Sequence, residues 1–276
     1  MEMNILISFD RNYVQPANTM LESLFITNPG VEFMIYAFCE GVSDKEIKQL
    51  QQKCKHRHSE FRVIEVPSDV FSNAPSVRYY SKAMYYRLLA AELLPESVQR
   101  ILYIDPDTLI LNPIQSIYET QFDNYLFAAA SHNMENGISE YVNKIRLNNY
   151  ETNGYFNSGV LLMNLDQMRN EMKPSDIYAY IERNKQGLIL PDQDVLNGLY
   201  GHRILPVDDS IWNYDTRKFE YYLFFSQGVK DMDWVMNNTV ILHFCGKQKP
   251  WNKDYVGYFS ALYKHYQRLA DSRKQM

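Results

Sequence analysis

The reading of the fold turns on residues 100–113, RILYIDPDTLILNP, where Asp105 and Asp107 interrupt an otherwise apolar run. An uncompensated buried charge costs several kcal/mol or more, so a greasy strand that ends in two carboxylates needs a reason. ILYID (101–105) has the pattern of a buried strand, and a residue ahead of proline is pushed out of helical geometry, which keeps Asp105 extended. Residues i and i+2 of an extended chain share a side, so both carboxylates converge beyond the strand end, where a hard divalent cation could collect their oxygens. Pro106 lacks an N–H and suits that position. The plain alternative is a solvated turn, since D-P-D-T is good turn chemistry. The 17 aspartates form three D-x-D strings, Asp105/Asp107, Asp192/Asp194 and Asp231/Asp233, so context has to decide.

Outward from that stretch, strand and helix signals alternate. NILISFD (4–10), VEFMIYAFCE (31–40), FRVIEVP (61–67) and ILYID read as strands. Between them lie three helices: NTMLESLFITNPG with Met20, Leu21, Leu24 and Phe25 on one stripe, a segment opened by a Ser43/Glu46 capping box, and SKAMYYRLLAAELLP (81–95). This alternation predicts an α/β fold with a mainly parallel central sheet flanked by helices. Ligands of such sheets sit outside the carboxyl ends of the strands, which puts Asp10, Asp105 and Asp107 on the ligand edge. Farther on, YLFAAA (125–130) and SGVLLMNL (158–165) read as strands separated by a polar, Asn-rich loop or lid. DQDVLNGLYG (192–201) reads as a helix, RILPVDD (203–209) and VILHFCG (240–246) as strands, and 258–274 as a helix. With no repeat, low-complexity tract or linker, one domain over 1–257 plus a C-terminal helix at 258–276 is expected.

Hydrophobic content of 46%, charged content of 22% and a net charge of −5 are those of an ordinary globular protein and argue against a nucleic-acid binder. Cys39, Cys54 and Cys245 are scattered, which suits a reducing compartment. The start, MEMNILISFD, has no basic leader, and no apolar run approaches the ~20 residues of a membrane span, so a cytoplasmic location is expected. Cys54, His56 and His58 look like a metal cluster but lie in a basic run that reads as solvated. Asp192, Asp194, Asp231 and Asp233 read as helix-start acids. The C-terminal helix sets Lys264, Arg268, Arg273 and Lys274 beside Tyr258, Phe259, Leu262, Tyr263 and Tyr266. It either rests peripherally on an anionic membrane or packs its aromatic stripe on the domain.

His243 closes the apolar run VILHFCG and is followed by Gly246, Lys247 and Lys249. Glycine permits close backbone approach, and lysine supplies compact charge for phosphate. Two carboxylates, an imidazole and a lysine suit a metal diphosphate, and the imidazole favours Mn²⁺ over Mg²⁺.

With these blocks in order, from ILISFDRNY through YYRLLAAELLP, ILYIDPDTLILNP, YFNSGVLLMNL and LPDQDVLNGL to LHFCGKQKPW, nearly the whole chain resembles a family 8 glycosyltransferase. This is the retaining group with a GT-A, Rossmann-like fold that includes bacterial lipooligosaccharide galactosyltransferases and glycogenin. The resemblance implies that Asp105, Asp107 and His243 ligate manganese, with Asp107 also near the ribose. It implies that Asp10, Asn12 and Tyr13 hold the uridine of a UDP-sugar, and that Gly246 and Lys249 meet the diphosphate. Arg87 and Asn157 match residues near the donor sugar, and Asp192 and Gln193 match the pair beside the reactive carbon. Two departures from the family pattern stand out: Pro106 in the metal motif, and Ser131-His132-Asn133 where relatives often carry an acid. The implied reaction moves galactose or glucose from a UDP-hexose to the hydroxyl of a glycan, glycolipid or glycoprotein, with retention. Gln193 is a poor nucleophile, which favours same-face attack, while Asp192 keeps a covalent route open. Rival readings are a nucleotide-sugar binder without turnover and a sugar-1-phosphate nucleotidyltransferase; SFDRNYVQPAN lacks the Gly-rich loop of the latter.

Overall fold

In the computed structural model, residues 2–67, 83–131 and 154–272 are described. Their strands are β1 (Glu2–Asp10), β2 (Glu32–Glu40), β3 (Glu60–Val63), β4 (Arg100–Ile104), β5 (Thr108–Ile110), β6 (Phe127–Ser131), β7 (Phe156–Asn164), β8 (Ile204–Val207), β9 (Tyr214–Asp215) and β10 (Ile241–His243). Period-two alternation along them sets the plan. Leu6, Tyr103, Leu161 and Met163 enter one hydrophobic layer, whereas Ile5, Ile7, Leu102, Ile104, Val160 and Leu162 enter the layer on the opposite face. Strands buried on both faces read as near-continuous apolar runs, and that is the character of ILISF and ILYI.

The central sheet has seven strands in the order β3-β2-β1-β4-β7-β6-β8. All pairings are parallel except those of β7, which runs against both β4 and β6. The mainly parallel α/β sheet expected from the alternation is therefore present, with one reversed strand. A second sheet, β5-β10-β9, stands beside it and carries a third apolar cluster. Phe259 and Tyr263 of the C-terminal segment are buried in that cluster, so the helix Ser260–Ser272 packs its aromatic stripe inward.

Local differences from the sequence reading are small. The helix expected over 81–95 is broken: Ala83–Tyr86 tightens into a 3₁₀ turn at Arg87–Leu89 and resumes over Ala90–Leu93, and residues 81 and 82 lie outside the described residues. The tightened turn is where Arg87 enters the interior. The strand expected over 61–67 ends at Val63. The capping box is formed, with the Ser43 and Glu46 side chains satisfying each other's backbone N–H groups. Most of the Asn-rich stretch, including His132 and Asn133, lies outside the described residues. No described helix is long and apolar enough to cross a membrane.

Candidate active site

β1 and β4 are parallel neighbours, so their carboxyl ends place Asp10 and Asp105 on one edge of the sheet. Beyond β4 the chain makes a turn rather than continuing extended. Thr108 Oγ1 donates to the Asp105 carbonyl at 2.8 Å, and β5 starts at once. The turn reading of D-P-D-T is the one observed, and within it the Asp105 and Asp107 carboxylates lie close to one another.

The second sheet supplies the third group. β10 runs antiparallel to β5 with His243 opposite Thr108, and the Phe244 N–H donates to the Asp107 carbonyl at 3.0 Å. His243 Nε2 thereby stands 3.3 Å from Asp107 Oδ1 and 4.0 Å from Asp105 Oδ2. One ligand atom from each residue lies within 4.8 Å of the others, the one such group among the described residues. Two carboxylates and an imidazole fit a divalent cation.

The wall behind this group confirms how closely it is built. Asp105 N–H donates to the Gly159 carbonyl at 2.7 Å, and a Cβ at Gly159 would stand 2.4 Å from His243 Cε1 and 2.6 Å from Asp105 Oδ2. Only a residue without a side chain lets β7 pass here. Sequence reasoning missed Gly159, although a glycine inside a strand pattern is a signal of close approach.

Cations surround the acids. Lys249 Nζ pairs with Asp107 Oδ2 and donates to the Phe244 carbonyl at 2.9 Å. Burial alone would raise the Asp107 carboxyl, but His243 and Lys249 outweigh it and hold the group below the usual carboxylate range. Asp105 is shifted the other way: burial raises it, against the pull of Arg87. Burial would lower the His243 imidazole, yet Cys245 and Asp107 carry it well above its ordinary value.

Arg87 is almost wholly buried. Its guanidinium lies 3.0 Å from Asp105 Oδ1 and 3.5 Å from Asp192 Oδ2, donates to the Ser158 carbonyl at 2.7 Å and sits 4.2 Å over the Tyr103 ring. Asp192 also accepts from Ser158 Oγ at 2.8 Å, and Gln193 Oε1 accepts from Asn157 Nδ2 at 3.2 Å. Both residues open the helix Pro191–Tyr200, which is anchored by Asp194 through the N–H groups of Ile189 and Leu190 and the Tyr155 hydroxyl.

At the other side of the acids, Asp10 caps the turn after β1 by accepting from Asn12 N at 2.8 Å. Tyr13 packs edge-on to Trp251 at 5.4 Å, and burial pushes its phenol up to about 12. The charge of Lys249 lowers the same hydroxyl and those of Asp107 and Asp105 raise it, each by a smaller amount. Gly246 adopts φ +90°, and a Cβ there would stand 2.8 Å from Nη1 of Arg217, which forks onto buried Asp215. Side-chain contacts thus join Arg87, Asp105, Asp107, His243 and Lys249, with Asp192 beside Arg87 and Gln193 beside Asn157. Asp10 ends the neighbouring strand β1, and Asn12 and Tyr13 follow it. Gly159, Asn213, Ser158 and Arg217 join them without having been read from the sequence. Cys54 packs inward from its helix while His56 and His58 are exposed, and Asp231 caps a helix by accepting from Trp234 N.

The chain is 27% identical over 276 residues to general stress protein A of Bacillus subtilis, covering 96% of this chain and 92% of the relative. It is 24% identical to a lipopolysaccharide 1,2-glucosyltransferase of Escherichia coli K12, over 91% of this chain and 73% of that one. The crystal structure of the galactosyltransferase LgtC with donor and acceptor sugar analogs superposes with a TM-score of 0.80 at 21% identity, covering 97% of this chain and 96% of that chain. The family model for glycosyl transferase family 8 matches residues 4–255, and the chain belongs to that family.

Proposed function

We propose that the protein transfers a hexose, galactose or glucose, from a UDP-sugar to an acceptor hydroxyl with retention at the anomeric carbon. The observation that carries this reading is the convergence of Asp105, Asp107, His243 and Lys249 on the strand edge that also holds Asp10, Asn12 and Tyr13. Asp105, Asp107 and His243 hold a divalent cation, Mn²⁺ by their mix of carboxylate and imidazole, and when bound it supplies positive charge against the diphosphate. Lys249 adds a second charge there, and the bare Gly246 backbone leaves room for phosphate oxygens. Asp10, Asn12 and Tyr13 take the uridine, with Asp107 near the ribose, and Arg87, Asn157, Asp192 and Gln193 line the donor sugar.

In the reaction the bond from the anomeric carbon to the β-phosphate oxygen breaks, and its electron pair leaves with UDP. The acceptor oxygen bonds to the same face, and its proton passes to the departing phosphate. Electrostatic stabilisation of that leaving group is the larger part of the catalysis. A covalent route would need a carboxylate oriented at the anomeric carbon. Asp192 is instead engaged by Ser158 and Arg87, which supports same-face attack. The names of the relatives, lipopolysaccharide glucosyltransferase among them, favour a glycan or glycolipid acceptor over a protein. Phe259 and Tyr263 are buried in the core, so peripheral membrane contact through the C-terminal helix would fall to its exposed Lys264 and Arg268.

The test is UDP release over a panel of UDP-sugars with Mn²⁺, repeated with EDTA. One UDP-hexose should turn over faster with a glycan acceptor, EDTA should suppress release, and Asp107→Asn should remove at least 100-fold of the rate. UDP-sugar binding without turnover on any acceptor would favour the non-catalytic binder, and rates indifferent to EDTA would overturn the metal assignment.

A further inference from the structure

Four side chains run from the His243 imidazole to the head of the helix Pro191–Tyr200, and two backbone amides dictate the direction of every hydrogen bond among them. The Gly159 N–H can only donate, so the Asn157 atom it meets at 2.9 Å is the acceptor Oδ1. The Asn213 atom 2.8 Å from that same oxygen is then the donor Nδ2. This leaves Asn213 Oδ1 as the partner of His243 Nδ1, at 2.8 Å. An amide oxygen has no proton to give, so Nδ1 carries one, and Nε2, facing Asp107 and Asp105, is the nitrogen that gives up its proton when a cation binds. In the other direction, the Ser158 N–H donates to Gln193 at 3.4 Å, which makes the receiving atom Oε1. Asn157 Nδ2 donates to the same oxygen. The Gln193 carbonyl is tethered to β7, and the end of its amide left over is Nε2, a donor.

We infer that Asn213 is a positioning residue for both halves of the site. Wholly buried and uncharged, it holds the His243 ring with Nε2 toward the cation. Through Asn157 it also holds the Gln193 amide so that an N–H, and not a carbonyl oxygen, is offered to the donor sugar. Gln193 then acts by donating a hydrogen bond, and it has no lone pair free to attack the anomeric carbon. The assignment rests on the proposed metal and sugar sites, but its polarity argument uses only hydrogen bonds within the chain.

Two substitutions separate the halves. Asn213→Leu removes the acceptor for His243 Nδ1–H and the donor to Asn157 together. Asn213→Asp keeps the acceptor and loses the donor, setting a carboxylate oxygen against Asn157 Oδ1. Mn²⁺ affinity is read by calorimetry, folding by thermal unfolding, and the His243 Nδ1–H by its ¹⁵N-resolved proton signal and solvent exchange in metal-free protein. The expected result is a slowly exchanging Nδ1–H in the wild type and in Asn213→Asp, and its loss in Asn213→Leu. Mn²⁺ affinity should fall about 10- to 100-fold in Asn213→Leu, the usual cost of losing a partner behind a ligand, and stay within about threefold in Asn213→Asp. Asn213→Asp should lose kcat at least tenfold on the UDP-hexose with little change in KM. Unchanged Mn²⁺ affinity and an unchanged Nδ1–H signal in folded Asn213→Leu would overturn the inference. A wild type that takes up no Mn²⁺ would instead sink the metal reading, while the Nδ1–H signal still decides the role of Asn213.

Discussion

Gly159 shows how a residue with no side chain shapes the chemistry around it. β7 must pass directly behind two of the proposed ligands, and any Cβ would displace His243 or Asp105. Gly159→Ala should weaken Mn²⁺ binding about 10- to 100-fold, the range found when ligand orientation is disturbed. The protein should still fold, since β4 and β7 keep their pairing. Calorimetric Mn²⁺ titration of the folded variant checks this, and wild-type affinity would show that the wall can yield. The acids themselves were legible in D-P-D, because proline beside paired carboxylates at the end of an apolar run is a local oddity. Asn213, in SIWNYD, carries no such mark; only its neighbours in space give it a role.

At the scale of elements, the head of the helix Pro191–Tyr200 delivers Asp192 and Gln193, and Asp194 is the residue that docks it. Its wholly buried carboxylate accepts from Ile189 N at 2.6 Å, from Leu190 N at 3.1 Å and from the Tyr155 hydroxyl. Asp194→Ala strands these donors, which should cost about 3 kcal/mol of stability. For a chain of this size that lowers the melting temperature by about 6–12 °C, and turnover should fall with it as Gln193 loses its seat. A melting temperature within 2 °C of wild type would show that the docking is carried elsewhere. The helix was readable from its P-D-Q-D start, where acids favour a first turn. Its docking was not, because the partners come from Tyr155 and from the backbone just ahead of it. The small sheet escaped the sequence reading for a related reason. Ile241–His243 was read as a strand within VILHFCG, but its partners Thr108–Ile110 and Tyr214–Asp215 are too short for any periodicity to register.

Over the whole molecule, two apolar layers close the central sheet and a third cluster seals the small one. Burial pushes the thiols of Cys39 and Cys54 up to about 12, so at pH 8 only ~1 in 10,000 of either is the reactive thiolate. Iodoacetamide at that pH should leave both intact in the native protein and modify both in urea, as read by peptide mass spectrometry. Rapid native labelling of either would mean that β2 or the helix Asp44–Lys55 opens readily. The amino-acid order by itself determined the alternating strands, the two-faced burial of β1 and β4, and the arrival of Asp10 and Asp105 at one sheet edge, since each follows from local period and connection rules. The tertiary structure alone decided that Lys249 meets Asp107 across 142 residues and that Gly159 and Asn213 stand behind His243. Ligand and hydrogen-bond geometry is set at ångström precision by registers between distant strands, and no spacing along a single chain encodes that.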